Sequence, residues 1–118
     1  MNVLWIDDQP VRYAVLEEEL RKYPSEMQVT VTFAHGWDQI NYCLKYRQWD
    51  AVLLDLDMPL MDGLDVAKEF LCAKNIPVII VSTNLPKIAR LIPLLEEYAV
   101  PYQEACITGP GIIANTLL

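Results

Sequence analysis

The chain has 118 residues, 53% of them apolar and 21% charged, and its 9 basic against 16 acidic side chains give a net charge of −7. That length suits one domain over residues 1–118 with a core of its own, and so apolar a chain is not a disordered one. The acidic balance excludes the basic footprint that nucleic acid requires, and an anionic membrane surface is disfavoured for the same reason.

Val3-Leu4-Trp5-Ile6 is a short apolar strand ending at Asp7 and Asp8, too short for a signal peptide or a membrane span. Pro10 opens a helical stretch in which Tyr13, Leu16, Leu20 and Tyr23 share a face. Val29, Val31 and Phe33 alternate with Gln28, Thr30 and Thr32, the pattern of a half-buried strand. Trp37, Ile40 and Leu44 mark the next helix, and Val52-Leu53-Leu54 a buried strand ending at Asp55. After Gly63, the residues Leu64, Ala67 and Leu71, flanked by Val66 and Phe70, make a broad apolar helical face. Pro77 to Val81 is a further apolar strand, ending at Ser82. Ile88, Leu91, Ile92 and Leu95 keep helical spacing behind an Asn84 cap, with Pro86 in the first turn. Pro93 within that helix is expected to kink or end it near residues 89–92. Tyr102 to Ile107 reads as a fifth strand, and Gly109-Pro110-Gly111 leads into an apolar tail, Ile112 to Leu118. Cys43, Cys72 and Cys106 are scattered without metal-binding spacing, which fits small buried hydrophobes in a reducing, cytoplasmic compartment.

Strands alternating with helices imply an α/β fold with a parallel sheet covered on both faces. In such open sheets the ligand crevice lies beyond the carboxyl ends of the strands. Asp7-Asp8, Asp55 and Ser82-Thr83 end the first, third and fourth strands, so parallel strands bring them to one rim. Carboxylates gathered there repel, and burial penalises their charged forms unless a cation neutralises them. Oxygen ligands select a hard ion such as Mg²⁺, and a carboxylate beside it can act as nucleophile toward a phosphoryl group. A hydroxyl at Ser82 could donate to the transferred group.

Val-Leu-Trp-Ile-Asp-Asp-Gln-Pro at 3–10 and Leu-Leu-Asp-Leu-Asp-Met-Pro-Leu-Met-Asp-Gly at 53–63 resemble the receiver domain of bacterial two-component response regulators. The resemblance implies a flavodoxin-like, doubly wound sheet of five parallel strands in the order 2-1-3-4-5. It implies Asp55 as the phosphoacceptor, Mg²⁺ held by Asp8 with Asp7, Asp55 and the backbone carbonyl of Asp57, and Ser82 as the switch hydroxyl, with Thr83 beside it. Met58-Pro59 and Asp62-Gly63 would shape the loop after the phosphosite, and Tyr102 is a candidate for the aromatic switch position. The implied partners are a histidine kinase or phosphotransfer protein upstream. Downstream, a protein partner or a second copy would use the Asn84-capped helix, the fifth strand and the tail.

Three departures from the family fall in the C-terminal half, of which Pro93 within the helix is the first. The family carries a Lys-Pro pair after the fifth strand, where this chain has Gly109-Pro110, and no lysine follows Lys87. Lys87 lies in the first turn of the preceding helix, where it reads as a solvated surface residue or as a substitute cation. The fifth helix is short or absent. The expected function is a stand-alone receiver, not an enzyme with its own turnover. An alternative is a receiver-like interaction module without phosphorylation. A remote one follows from Asp55-x-Asp57, which is similar to the haloacid-dehalogenase phosphatases but lacks their further motifs.

Overall fold

The computed structural model describes residues 2–8, 11, 14, 15, 17, 18, 21, 29–58, 62–72, 74–82 and 84–105. Strands β1 (Asn2–Ile6), β2 (Thr30–Ala34), β3 (Ala51–Asp55), β4 (Val78–Val81) and β5 (Tyr102–Ala105) form one parallel sheet in the order β2-β1-β3-β4-β5. Between them lie α1 (Trp37–Tyr46), α2 (Gly63–Val66, continued by a π-helical turn over Ala67–Leu71) and α3 (Leu85–Glu97). Val11, Ala14, Val15, Glu17 and Glu18 are helical too. The face drawn through Tyr13, Leu16, Leu20 and Tyr23 lies outside the described residues, as do Thr83, Cys106, Gly109-Pro110 and the tail. No helix among the described residues is long and apolar enough to cross a membrane.

The central strands are buried throughout because both sheet faces are apolar. β-Branched side chains, which suit the pleated sheet, make up all of Val78-Ile79-Ile80-Val81. On one face Leu4, Ile6, Val52, Leu54, Val78 and Ile80 pack with residues from all three labelled helices: Ile40 and Leu44, then Leu64 and Leu71, then Ile88, Leu91 and Leu95. On the other, Val3, Trp5, Leu53, Ile79 and Val81 form a second cluster, and the Trp5 ring meets Phe33 edge-on at 6.3 Å. Strand β2 is only half buried, as its alternating sequence requires of an edge strand. Cys43 and Cys72 are buried free thiols, and burial pushes both above the ordinary thiol pKa, in keeping with apolar roles.

Pro93 does not terminate α3, which runs unbroken to Glu97. Ala89 and Pro93 both lie on the exposed side of the helix, so the carbonyl deprived of its amide donor faces water. Beyond Tyr98 the amide of Ala99 bonds to Glu96 O at 3.1 Å and that of Val100 to Leu95 O at 2.9 Å, with Ala99 left-handed at φ 55°.

Gly63 sets how closely α2 approaches the end of β3. A Cβ there would lie 2.6 Å from the Asp55 carbonyl oxygen and 2.9 Å from Leu56 Cα. Gly36, at the N-cap of α1, has extended backbone and open space around it, and no side-chain cap. Gly63→Ala is therefore expected to cost about 1–3 kcal/mol by forcing backbone apart. Gly36→Ser should stabilise by about 0.5 kcal/mol through a new cap. Urea denaturation of both variants measures the contrast; equal shifts would contradict the close approach at Gly63.

Candidate functional site

The register of the sheet assembles the site. Ile6 pairs with Leu54, so Asp7 stands level with Asp55, and Asp55 pairs with Val81, so Ser82 follows one residue on. Adjacent strands are about 4.8 Å apart, which leaves these side chains no room to separate. Asp7, Asp55 and Ser82 are the buried polar residues among the described ones, and carboxylate oxygens of Asp7, Asp8 and Asp55 all lie within 4.8 Å of one another.

The local backbone holds each acid in place. The Asp7 amide donates to Ala34 O at 3.2 Å, extending the bonding between β1 and β2. The Asp57 amide donates to Asp55 Oδ1 at 3.0 Å, which turns the chain sharply after β3. Asp62 pairs with Asp57 across the loop and caps α2, accepting from the Leu64 amide at 2.9 Å. Asp8 Oδ1 is buried with no hydrogen-bond partner among the described residues. A buried carboxylate oxygen without a donor, set among like charges, calls for a cation. Oxygen donors alone suit a hard divalent ion, so Asp7, Asp8 and Asp55 fit Mg²⁺.

Ser82 is drawn into a second cluster built on Asp57. The Ser82 hydroxyl donates to Asp57 Oδ2 at 3.0 Å, and Asn84 Nδ2 donates to Asp57 Oδ1 at 3.0 Å. The Asn84 amide in turn donates to Ser82 Oγ at 3.0 Å, while its side-chain oxygen caps α3 by accepting from the Lys87 amide at 3.2 Å. Lys87 Nζ donates to Leu56 O at 2.9 Å and stands 3.9 Å from Asp57 Oδ1.

Of the residues singled out in the sequence, Asp7, Asp8 and Asp55 meet as one group, and Ser82 reaches the loop that follows them. The carboxylate of Asp57 stands outside the acidic group and belongs to the second cluster. Lys87 is not a solvated surface residue: its side chain is 26% exposed and folded back over the β3 end. Tyr102 is displaced from the aromatic role, because it pairs with Val78 at the opposite end of the sheet from Asp55. Its hydroxyl bonds to Glu96 at 2.9 Å, and that bond pushes the phenol's pKa up. Asn84 caps α3 as its sequence position indicated, and its second use, as donor to Asp57, escaped the sequence reading. The signal was present in the short spacing from Ser82 to the first turn of α3.

Residues 3–96 match the family described as response regulator receiver domain. A protein-glutamate methylesterase/protein-glutamine glutaminase of Syntrophus aciditrophicus (strain SB) is 32% identical over 91 residues, 77% of this chain and 26% of that protein. The transcriptional regulatory protein YpdB of Escherichia coli (strain K12) is 29% identical over 112 residues, 92% of this chain and 45% of that protein. The chain thus spans less than half the length of these curated relatives. The solved signal receiver domain of a response regulator from Bermanella marisrubri superposes with a TM-score of 0.72 at 21% identity, covering 98% of this chain and 93% of that one. A CheY-like receiver domain protein from Methanospirillum hungatei JF-1 gives 0.68 at 12% identity, covering 98% and 89%. At these identities the two structures speak to the fold.

The acidic group generates a test. Mg²⁺ at a hundredfold excess over its Kd should add about 2.7 kcal/mol to the stability of the folded chain. Asp8→Ala should abolish that gain and should itself raise the melting temperature of the metal-free protein by relieving repulsion. Calorimetry with and without Mg²⁺ measures both; an undiminished Mg²⁺ response in the variant would remove Asp8 from the metal site.

Proposed function

Because the chain belongs to the response regulator receiver domain family, we propose that it accepts a phosphoryl group on Asp55 and transmits the change by protein–protein contact. The donor is the phosphohistidine of a histidine kinase or phosphotransfer protein. The observation that carries this reading is the gathering of Asp7, Asp8 and Asp55 within 4.8 Å at the carboxyl ends of adjacent parallel strands. That is where an open α/β sheet binds its ligand.

An Asp55 carboxylate oxygen attacks the phosphorus, forming an acyl phosphate as the phosphorus–nitrogen bond breaks. The freed imidazole keeps the electron pair of that bond and takes a proton from water. Bound Mg²⁺, with Asp8, Asp7, Asp55 and the Asp57 backbone carbonyl as its ligand set, would supply the positive charge that lets two anions approach. The bond from the Asp57 amide to Asp55 Oδ1 orients the nucleophile, leaving attack to its other oxygen. Ser82 supplies the switch hydroxyl, with Thr83 next to it in sequence. In the structure that hydroxyl rests on Asp57, so phosphorylation at Asp55 offers it a rival acceptor of higher charge. The methylesterase relative is matched over 26% of its length, which carries no argument for esterase chemistry here.

Incubation with acetyl phosphate and Mg²⁺, followed by mass spectrometry, tests the reading. The expected product carries one phosphoryl group, and Asp55→Asn carries none. Turnover of the donor without an adduct would indicate a phosphatase, and neither adduct nor turnover a module that has lost phosphorylation.

A further inference from the structure

We propose that Lys87 is the cation that pairs with a phosphoryl group on Asp55, and that the Leu56–Asp57 turn is its resting place. The proposal rests on Asp55 being the phosphoacceptor. The sequence limits the candidates, because no lysine follows Lys87 and Gly109 stands where the family's lysine would. The structure then places Lys87 where a cation is needed. Asn84 accepts from its amide and fixes the first turn of α3, and from that turn the side chain runs back to the end of β3. Its Nζ lies 2.9 Å from the carbonyl of Leu56, the residue after Asp55.

The resting contacts are weaker than a hydrogen-bonded ion pair would be. A carbonyl oxygen is a neutral acceptor, and the approach to Asp57 Oδ1, at 3.9 Å, is an ion pair beyond hydrogen-bond distance. An ammonium carries three donors on a flexible four-carbon stem, so it can turn to a new acceptor while its helix stays in place. A phosphoryl group on Asp55 brings doubly charged oxygens to the residue adjoining Leu56. Asp57 Oδ1 also receives Asn84 Nδ2 at 3.0 Å, a bond that stays in place when the ammonium leaves. Lys87 therefore binds the phosphorylated state better than the resting one, which is the condition for it to shift the equilibrium.

Beryllofluoride, which mimics a phosphoryl group on a carboxylate, is the probe, added with Mg²⁺ to the full chain and followed by fluorine NMR and calorimetric titration. Asp55→Asn should bind none. Lys87→Ala and Lys87→Gln should each lose about tenfold or more in affinity, as expected for removal of a charge-assisted contact, and Lys87→Arg should retain most of it. Exposed Lys74→Ala, the control, should match wild type. Amide signals of Asn84 and Lys87 should move on binding in the wild type. Undiminished affinity in Lys87→Gln, with wild type binding normally, would overturn the proposal and leave the phosphoacceptor reading standing. Absence of binding to the wild type would overturn both. Should Lys87→Ala fail to fold, the comparison of Gln with Arg, which differ in charge, decides alone.

Discussion

The mutual repulsion of Asp7, Asp8 and Asp55 is the interaction to which the rest of the structure answers. At their spacing, two full charges interact by about 1 kcal/mol in water and several times more at the effective dielectric of a protein. Three such pairs would drive the strand ends apart if the strands were free to move. They are not, because Val3 to Ile6, Ala51 to Leu54 and Val78 to Val81 are buried on both faces of the sheet. Each large apolar side chain fully buried contributes roughly 1.5–3 kcal/mol, and the three strands together hold the register against the charges. A slip of one residue would separate the acids and exchange the two faces of the packed strand at once. The repulsion is therefore stored at the rim, where a cation can relieve it.

Next to that acidic group, Asp57 accepts from the Ser82 hydroxyl and Asn84 Nδ2, and the Lys87 ammonium stands 3.9 Å from it. All three come from the segment between β4 and the first turn of α3. Two loops of the rim are thus tied through one carboxylate, and that carboxylate is only two residues from Asp55. A change of charge at Asp55 alters the partners that the same donors can choose. The two clusters differ in kind, since the first gathers three carboxylates and the second brings a lysine beside one.

Much of this was legible in the sequence, and the residues show why. The continuous apolar runs and the acids that end them report strand position directly, so the sheet, its order and the rim could be written down from pattern and resemblance. Register is harder. Tyr102 looked close to the site because it lies in the fifth strand, but its pairing with Val78 puts it three residues below the level of Asp55, about 10 Å away. Pro93 did not end its helix, because Ala89 and Pro93 share the solvent side of a helix anchored by Leu91 and Leu95. The π-helical turn after Val66 has no sequence signature, since the buried Val66, Ala67 and Leu71 fit a broad α-helical face equally well. Lys87 illustrates the remaining gap: a lysine's reach is set by rotamers, which no spacing encodes.

The consequence for α3 follows from its two ends. Its first turn is bound to the rim through Asn84 and Lys87, whereas its last turn is fastened to the core by Leu95 and by the bonds that Ala99 and Val100 make to Glu96 and Leu95. Pro93 sits between these anchors and lacks the amide that would bond back to Ala89. The helix is continuous, yet the ladder joining its halves is short of one rung. A displacement imposed on the first turn at Asp57 is thus resisted least where the proline stands. Beyond the proline, Leu95 and the bonds of Ala99 and Val100 hold the last turn on the core.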